Sequence, residues 1–447
     1  LYATSTPIGF SNVNTDIGGR AAMYGVKGIT VDGNDVLAVC RAAKEAVDYA
    51  RNGMGPVLIE ALTYRTVGHH EGDVLIGTYR TQEELDQWKQ RCPIKLFEEK
   101  LISEAGIAEG DLQVVRNKVD LIMAEAVEFA RASENPDAST VSENCWNDPV
   151  NPACAMDQNL SGEFTTQSWL AAVRDGIAEE MRKNDHIIYL GEGIGERGGT
   201  FGHTKNLFQE FGGERVIDTP ICELAFTGAA IGASAAGSRA IADLMFADFI
   251  FDAATQIVNQ ASKLRYMSNG QLKVPMIVRA GAGQIKQAGP QHSGTFHSLW
   301  AHIPGLIVVV PSTPADAKGL MKTALNGSDP VIFLEPKSLF SSKGLVPVNE
   351  HYVPFGKARI VEEGTDITIV CFGQQVHYSL EASRRLSAEG ISSEIIDLRT
   401  IMPIDKQSII QSVSKTKHLL VVDEGYGPCS ISSEIAAFVN EALFFSL

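Results

Sequence analysis

Clustered positive charge is missing from this 447-residue sequence. Lys and Arg together number 38 against 54 Asp and Glu, which gives a formal net charge of −16. Binding to nucleic acid depends on clustered Lys and Arg side chains that contact phosphates. The composition therefore argues against a nucleic-acid-binding protein. A small anionic substrate stays possible, because a few local cations or a helix N-terminus can hold one.

Cysteine is scarce, and its spacing matches neither a metal site nor a redox motif. The seven cysteines lie at positions 40, 92, 145, 154, 222, 371 and 429. They form no CxxC pair and show no metal-ligand spacing. An odd and dispersed set in a chain of this length indicates reduced thiols. We therefore predict an intracellular protein.

Long apolar runs are also absent. No stretch approaches the ~20 apolar residues that a membrane-spanning helix needs, so no membrane span is predicted. The sequence begins with Leu1 instead of Met and ends with two phenylalanines, a serine and a leucine. We expect it to be a piece of a longer polypeptide, which leaves a targeting peptide upstream open.

The residues that are present indicate a globular protein with about three domains. Hydrophobic residues make up 44% and charged residues 21% of the chain, as in ordinary globular proteins. Residues 1–130 alternate between strand and helix patterns. Asp35 is placed to cap a helix that runs to about Arg51, Pro56–Leu62 is a buried-strand candidate, and Gln82–Ala130 is helical and amphipathic.

Residues 131–163 break this alternation. Ser, Asn, Asp and Pro dominate them, as in Glu134–Asp137 and Asn147–Pro149. Such a composition is typical of a linker. We therefore predict a domain boundary here.

Residues 164–345 and 355–447 are predicted to form two further α/β domains. In the first, a helix at Trp169–Lys183 precedes apolar strand candidates, and in the second three short strands alternate with helices. The strand candidates are Ile187–Leu190, Ala240–Phe246, Val274–Arg279, Leu306–Val310, Ile367–Phe372, Ser393–Leu398 and Leu419–Val422. Apolar strands between helices predict largely parallel sheets that are covered on both faces.

Three short motifs carry candidate chemistry, and each also has an ordinary structural interpretation. His69 and its neighbour His70 follow a strand near Arg65, where they could bind a phosphate; a solvated polar loop is equally compatible. Glu223 precedes a helix of small residues, and its spacing alone favours a simple helix cap. His292 lies in a glycine-rich loop, where it could transfer protons or be satisfied by the backbone.

The glycines after Ile187–Leu190 resemble a phosphate-binding loop only in part. Glycines occur at positions 191, 193 and 195. The dinucleotide fingerprint G-x-G-x-x-G needs its third glycine at position 196. A nicotinamide site is therefore weakly supported.

The order of these motifs resembles the thiamine diphosphate-dependent 2-oxo acid dehydrogenases of the pyruvate, branched-chain and acetoin types. The α-type stretches are YATSTP, VDGND, GPVLIEALTYRTVGHHEGD and YRTQEEL; the β-type stretches are RVIDTPICELAFTGAAIG, FADFIFDAATQIVNQASKLRYMS, QHSGTFHSLWAHIPGLIVVVPSTPADAKGL and DLRTIMPIDKQSI. The resemblance covers nearly the whole chain except the linker. It implies that the end of an α-type half and most of a β-type half are joined in one polypeptide.

The resemblance implies a fold and a domain order. We expect the transketolase-like thiamine diphosphate-binding fold. The order would be the C-terminal remnant of a diphosphate-binding domain (1–130), a linker (131–163), a pyrimidine-binding domain (164–345) and a C-terminal transketolase-like domain (355–447) that is truncated.

The resemblance also implies residue roles. Glu223 matches the acid that hydrogen-bonds the cofactor pyrimidine, and Phe249 matches the ring beside it. His292 matches a histidine near the substrate and the lipoyl group, and His69 one near the diphosphate. Tyr2 matches a backbone carbonyl ligand of Mg²⁺.

The implied activity is oxidative decarboxylation of a 2-oxo acid, with transfer of the acyl group to a lipoyl group. The implied partners are a lipoyl-bearing dihydrolipoyl acyltransferase and a dihydrolipoamide dehydrogenase. The resemblance further implies a homodimer of full-length fused chains, located in the cytoplasm of a bacterium or in the mitochondrion of a eukaryote.

Two features depart from the family pattern. The GDG…NN motif that supplies the other magnesium ligands is absent and is expected before Leu1. His70 stands where animal members carry a phosphorylated serine, which argues against that regulatory switch.

The sequence leaves alternatives open. The segments GHHEGD, PSTPADAKGL and LRYMS are similar to acetoin or pyruvate enzymes, whereas FADFIF, IFLEPKSLF and GQQVH are similar to branched-chain enzymes. An acetoin dehydrogenase component, a transketolase-like enzyme and a non-catalytic subunit of the same fold remain as alternatives.

Overall fold

The computed structural model describes residues 5–73, 76, 77, 79–155 and 162–445. Within the chain, Leu1–Pro136 and Asp137–Leu447 are two compact units. They are called here the first unit and the second unit.

The first unit contains a two-stranded parallel sheet and a series of helices. Strand β1 pairs with β2 in register from Lys27 opposite Val57 to Asp32 opposite Leu62. The elements are α1 (Ile8–Ser11), β1 (Lys27–Asp32), α2 (Val36–Arg51), β2 (Val57–Leu62), α3 (Gln82–Lys89), α4 (Pro93–Ser103) and α5 (Glu109–Ala132). The predicted cap of α2 is confirmed, because the Asp35 carboxylate accepts hydrogen bonds from the amides of Leu37 and Ala38.

The predicted helical stretch 82–130 is divided into three helices. Pro93 occupies the first turn of α4, where its missing N–H costs no intrahelical hydrogen bond. Gly106 adopts a positive φ of 66° between α4 and α5, a conformation that ends a helix readily. The amphipathic pattern therefore predicted the helical character correctly but missed two chain turns.

The second unit alternates strands and helices almost throughout. Its elements are β3 (Phe164–Ser168), α6 (Trp169–Lys183), β4 (Ile187–Gly191), α7 (Leu207–Phe211), β5 (Val216–Asp218), α8 (Glu223–Ala235), β6 (Arg239–Phe246), α9 (Ala254–Gln256), α10 (Leu264–Met267), β7 (Met276–Ala282), α11 (His297–Ala301), β8 (Ile307–Val309), α12 (Pro314–Asn326), β9 (Val331–Pro336), β10 (Lys343–Pro347), β11 (Arg359–Glu362), β12 (Ile367–Cys371), α13 (Gln374–Ala388), β13 (Ser393–Asp397), β14 (Thr400–Met402), α14 (Lys406–Thr416), β15 (Leu419–Val422) and α15 (Ile431–Leu443).

A seven-stranded sheet forms the centre of the second unit. Its strand order is β14-β8-β9-β7-β6-β4-β5, and every pair is parallel except β14 with β8. Neighbouring residues of β6 belong to different cores, since Ile241 joins the cluster with Trp169, whereas Ala242 joins the cluster with Phe226. The predicted α/β fold with a largely parallel sheet covered on both faces is confirmed.

The C-terminal region forms a second sheet and also extends the first. Strands β11, β13, β12 and β15 form a four-stranded sheet in that order. After β13 the chain returns to the large sheet, where β14 pairs antiparallel with β8. This short edge strand ties the region 355–447 to the region 164–345.

The end of the predicted linker belongs to the second unit and packs against the region 164–345. The Trp146 indole donates to the carbonyl of Leu306 at 3.2 Å. The Asn147 amide donates to the carboxylate of Asp329 at 2.8 Å. Residues 146 and 147 therefore have fixed partners, although their composition is that of a loop.

Among the residues that the structure describes, no helix combines the length and the apolar character that a bilayer crossing requires.

Candidate active site

Glu223 lies at the carboxyl edge of the large sheet, which is the edge where parallel α/β sheets bind ligands. The chain leaves β5 at Asp218, turns through Thr219, whose amide donates to the Gly191 carbonyl at 3.0 Å, and enters α8. Glu223 is the first residue of α8, and the preceding Cys222 makes no side-chain cap.

The Glu223 carboxylate is half-buried. It makes no hydrogen bond or ion pair with any residue that the structure describes. The helix-cap interpretation of this residue is therefore wrong, and the carboxylate is available to a ligand.

Glu192 is a second carboxylate near Glu223. It follows β4 and is also half-buried. Burial first, and then the negative charges of Glu223 and Asp243, raise the pKa of Glu192. Two neighbouring carboxylates in a partly dry position favour a proton on one of them.

Phe246, Phe249 and His292 form a ring cluster at the same edge of the sheet. The ring centroids of Phe246 and His292 are 4.8 Å apart with an interplanar angle of 90°. The centroids of Phe249 and His292 are 5.5 Å apart at 76°. These edge-to-face contacts hold the imidazole between two phenyl rings.

A backbone irregularity directs Phe246 into this cluster. The register of β6 with β7 shifts between Asp243 and Phe246. Met245 adopts a positive φ of 62°, which is uncommon for a residue with a side chain. A bulge of this kind changes which way the following side chain points, and such local strain is frequent at functional sites.

A buried polar network supports the sheet beneath the ring cluster. The Tyr189 hydroxyl donates to Asp243 at 2.6 Å, and His203 Nε2 lies 2.8 Å from the same carboxylate oxygen. The Arg279 guanidinium donates to Tyr189 at 2.7 Å and to Glu335 at 2.5 Å. Burial opposes the charge on Asp243, but His203 and Arg279 lower its pKa below the usual range.

A cavity of about 290 Å³ lies beside the loop that carries His292. Its wall includes Ser293, which follows His292, together with Thr295, Ser338 and Glu424. Hydroxyl and carboxylate groups therefore line a space large enough for a small polar molecule.

His69 belongs to the first unit and lies in an exposed loop. Its backbone amide donates to Asp73 at 2.8 Å, and Tyr79 donates to the same carboxylate at 2.7 Å. The tyrosine hydrogen bond, followed by the His69 amide, lowers the pKa of Asp73. The His69 ring lies 3.5 Å from an Arg65 nitrogen. The loop therefore has local order and an exposed imidazole beside an arginine, which suits an anionic group.

The structure brings together Phe249 and His292 in the second unit and places Glu223 at the same sheet edge. His69 lies in the other compact unit. Tyr2, the predicted magnesium ligand, lies outside the described residues. Within the described ranges, no group of three or more His, Cys, Asp or Glu side chains is placed to hold a metal ion.

Sequence reasoning overlooked Glu192 and Lys337. Glu192 lies between Gly191 and Gly193, in a glycine-rich stretch whose pattern resembles part of a phosphate-binding loop. Lys337 follows the buried strand β9, whose end carries Glu335 in an otherwise apolar run. Charged residues that interrupt an apolar strand at its carboxyl end are the signal that could have identified both positions.

The residues present fit the pyrimidine end of thiamine diphosphate. A carboxylate without a partner among the described residues, and phenyl rings at the same sheet edge, provide a hydrogen-bonding group and an aromatic surface for a nitrogen heterocycle.

Three family descriptions match consecutive parts of the chain. Residues 1–139 match "Dehydrogenase E1 component", residues 165–343 match "Transketolase, pyrimidine binding domain" and residues 356–447 match "Transketolase, C-terminal domain". The domain types imply thiamine diphosphate as the cofactor.

Curated relatives of the β type are similar over more than 280 residues. A 2-oxoisovalerate dehydrogenase subunit beta of Bacillus subtilis is 43% identical over 285 residues, covering 64% of this chain and 87% of the relative. An acetoin:2,6-dichlorophenolindophenol oxidoreductase subunit beta of Cupriavidus necator is 45% identical over 286 residues, covering 62% and 84%. A pyruvate dehydrogenase E1 component subunit beta of Rhizobium meliloti is 44% identical over 283 residues, covering 63% and 62%.

A solved structure shares the fold. It is described as "Split gene transketolase, inactive beta4 tetramer", with a TM-score of 0.50 and 24% identity, and the match covers 63% of this chain and 86% of that chain. The transketolase-like fold is thus confirmed, and so is the resemblance that the motifs indicated. The chain belongs to the family of thiamine diphosphate-dependent 2-oxo acid dehydrogenase E1 components, with an α-type and a β-type region in one polypeptide.

Proposed function

We propose that this protein catalyses the oxidative decarboxylation of a 2-oxo acid, pyruvate or a branched-chain 2-oxo acid, and transfers the acyl group to the lipoyl group of a dihydrolipoyl acyltransferase. The observation that carries the proposal is the Glu223 carboxylate, half-buried and without a partner among the described residues, at the carboxyl edge of the sheet. Family membership supports the reaction class.

Glu223 and Phe249 would hold the pyrimidine end of the cofactor. Glu223 would donate a proton to a nitrogen of the bound pyrimidine, which is the role of a general acid. When bound, thiamine diphosphate supplies an electron sink for the carbon that loses CO₂. The half-buried position of Glu223 limits its contact with water, so a hydrogen bond there is stronger than one at the surface.

His292 would act on the substrate and on the lipoyl group. Its ring is held by Phe246 and Phe249, so its orientation is set before substrate binds. In the overall reaction the C–C bond to the carboxylate breaks, CO₂ leaves, and the lipoyl disulfide is reduced. One sulfur takes the acyl group and the other takes a proton, which a histidine at this place can deliver.

His69 and Tyr2 would serve the diphosphate end. An exposed imidazole beside Arg65 suits a phosphate oxygen. Tyr2 would offer its backbone carbonyl to Mg²⁺, which prefers oxygen ligands; the family resemblance supports this assignment.

The proposed assembly follows the names of the relatives, which are subunits of dehydrogenases. A lipoyl-bearing acyltransferase would accept the acyl group, and a dihydrolipoamide dehydrogenase would reoxidise the lipoyl group. We also propose a homodimer of the native polypeptide.

Acetoin is a second candidate substrate. The Cupriavidus relative whose name contains acetoin is 45% identical, against 43% for the 2-oxoisovalerate relative. This difference in sequence identity does not distinguish acetoin from a branched-chain 2-oxo acid, and a direct measurement of turnover does.

The test is an assay of the native protein with thiamine diphosphate, Mg²⁺ and 2,6-dichlorophenolindophenol as the electron acceptor. Pyruvate, 2-oxoisovalerate and acetoin are compared at equal concentration, with omission of the cofactor as the control. We expect cofactor-dependent dye reduction with pyruvate or 2-oxoisovalerate; reduction with acetoin alone would favour the second candidate. Absence of turnover with all three, while the cofactor binds, would contradict the proposal.

A further inference from the structure

Lys337 is a buried lysine beside the ring cluster that the proposed roles leave unused. It follows β9 directly, and its exposed fraction is 1%. On the adjacent strand β7, Gly281 lies opposite Glu335. A Cβ atom at position 281 would lie 2.7 Å from the Lys337 Cγ, so the glycine leaves room for the lysine stem.

The Lys337 ammonium contacts His292 both directly and through Phe246. Its Nζ donates a hydrogen bond to the backbone carbonyl of His292 at 2.6 Å. The same Nζ lies 4.8 Å from the centroid of the Phe246 ring, within the range of a cation–π contact. Since the Phe246 ring packs on the His292 imidazole, one ammonium holds both the backbone of His292 and the ring that orients its side chain.

The surroundings of the Lys337 ammonium indicate that it contributes little to the stability of the fold. Burial lowers the pKa of Lys337 to about 8, although the negative charges of Asp248 and Glu424 act in the opposite direction. Neither carboxylate forms an ion pair with Lys337 among the described residues. The hydrogen bond to His292 is the only one that its Nζ makes there. A desolvated charge with one neutral acceptor is a poor source of stability.

The loop that carries His292 makes few other hydrogen bonds to distant parts of the described chain. Residues 290–292 form a single 3-10 turn after Gly289, which has a positive φ of 85°. The His292 amide donates to the Gly289 carbonyl at 3.3 Å, inside the same turn. The Ser293 hydroxyl also donates to the Gly289 carbonyl, at 2.8 Å and within the same loop. The next hydrogen bonds to other parts of the chain are made by Gly294, whose amide donates to Asp248 at 3.2 Å and whose carbonyl accepts from the Gly283 amide at 2.9 Å. The hydrogen bond from Lys337 therefore joins the backbone of His292 itself to a part of the chain 45 residues away.

We propose that Lys337 is a positioning residue that fixes His292 for its part in the reaction. The inference rests on the proposed function for its catalytic consequence, but the anchoring of His292 can be measured without cofactor or turnover. Removal of the ammonium releases the turn, and the imidazole then samples orientations that are unproductive for proton delivery.

The test uses Lys337→Met, which keeps the length and apolar stem of the side chain but has no N–H donor. Lys337→Gln keeps an N–H donor without the charge. Lys343→Met removes an exposed lysine six positions away and serves as the matched control. Near-ultraviolet circular dichroism identifies any variant that fails to fold, in which case the Gln variant carries the test.

The first readout is the rate of carbethoxylation of His292 by diethylpyrocarbonate in the cofactor-free native protein, followed by peptide mass spectrometry. The exposed His186 is the internal reference. We expect Lys337→Met to raise the His292 rate at least threefold and Lys337→Gln to raise it less. The Lys343→Met rate should equal that of the unmodified protein.

The second readout is steady-state kinetics with the preferred substrate. We expect a fall in kcat of about tenfold for Lys337→Met, partial recovery for Lys337→Gln and a change in KM below twofold, because the lysine acts on the orientation of His292 and not on substrate binding. An unchanged His292 modification rate in a folded Lys337→Met protein would overturn the proposal. Failure of the unmodified protein to turn over any substrate would instead overturn the proposed function, and the modification rates would still decide the role of Lys337.

Discussion

The two compact units differ in how they cover their apolar side chains. In the first unit, the 24-residue helix α5 has Leu112 as its one buried residue, and Val115, Val119 and Ile122 are exposed. In the second unit, the 13-residue helix α12 has 12 buried residues. Both helices are amphipathic in sequence. The number of elements that surround a helix, and not its own pattern, therefore determines how much apolar surface it buries.

The same contrast applies to the candidate histidines. His69 is exposed in a loop whose order comes from local hydrogen bonds, whereas His292 lies between phenyl rings and beside a buried lysine. A side chain held by packing has few orientations, and one held by a surface loop has many. We expect substitutions at distant positions to change the orientation of the His292 ring. The contribution of His69 should change mainly when His69 itself is replaced.

Substitution Glu223→Gln should have the largest effect, because it removes the acid that the second unit contributes. We expect a fall in kcat of about 10²–10⁴-fold, the usual contribution of general acid–base catalysis, with little change in stability because the carboxylate has no partner among the described residues. Steady-state dye reduction measures the effect. The exposed Glu214→Gln is the control and should retain normal activity; an active Glu223→Gln protein would remove the role proposed for this residue.

Truncation of one apolar side chain in each unit tests the difference in burial directly. Leu320 in α12 is fully buried, at 0% exposure, whereas Val119 in α5 is 51% exposed. We expect Leu320→Ala to lower the free energy of unfolding by about 2–5 kcal/mol and Val119→Ala to change it by at most about 0.5 kcal/mol. Denaturant titration of the native protein measures both. A loss above ~1 kcal/mol for Val119→Ala would show that a partner covers this face.

Substitution His69→Asn tests the loop of the first unit. Since His69 is exposed and is proposed to contact the diphosphate, we expect an increase of about tenfold in the apparent KM for thiamine diphosphate. The melting temperature should not change. His70→Asn, at the adjacent exposed position, is the matched control, and equal effects of the two variants would argue against a specific role for His69.

A buried carboxylate pair of the second unit predicts the smallest effect, a change in the pH dependence of stability. Asp316 of α12 and Asp397 of β13 share Arg359, whose nitrogen lies 3.1 Å and 3.4 Å from them. Burial and the neighbouring Asp316 raise the pKa of Asp397, whereas the pKa of Asp316 is lowered by Arg359 and Arg399 despite its burial.

The sign of the expected change follows from proton binding. In the folded state Asp397 holds its proton above the ordinary aspartate pKa near 4, so its stabilising contribution is present below that pH and is lost as the pH rises through the raised folded value. The substitution Asp397→Asn replaces the titrating carboxyl group, so the variant does not lose this contribution as the pH rises. Between pH 4 and 7 the unfolding free energy of the unmodified protein should therefore fall relative to that of the variant. Parallel pH profiles of the two proteins would contradict this assignment.

Local patterns were sufficient to predict many elements of the fold. Helix α6 and strand β15 have the predicted bounds, and Asp35 caps α2 as its spacing indicated. Capping and apolar periodicity depend on residues close in sequence, which explains this success. Strand β9, in contrast, was not predicted, although its six residues are buried. Short apolar runs do not distinguish strands from helices, and β14 forms only because β8 offers an edge.

The sequence by itself determined the family, through motifs whose order is specific, and the α/β architecture, through alternating apolar periods. It also identified Glu223, His292 and His69 as candidates. Only the tertiary structure decided that the Glu223 side chain does not cap its helix, and that Lys337 anchors His292. The Lys337 contact joins residues that are 45 positions apart in sequence, and they meet only because the fold places the end of β9 beside the loop of His292. The Glu223 result is local, but it depends on the conformation of one side chain, which residue type and spacing do not specify.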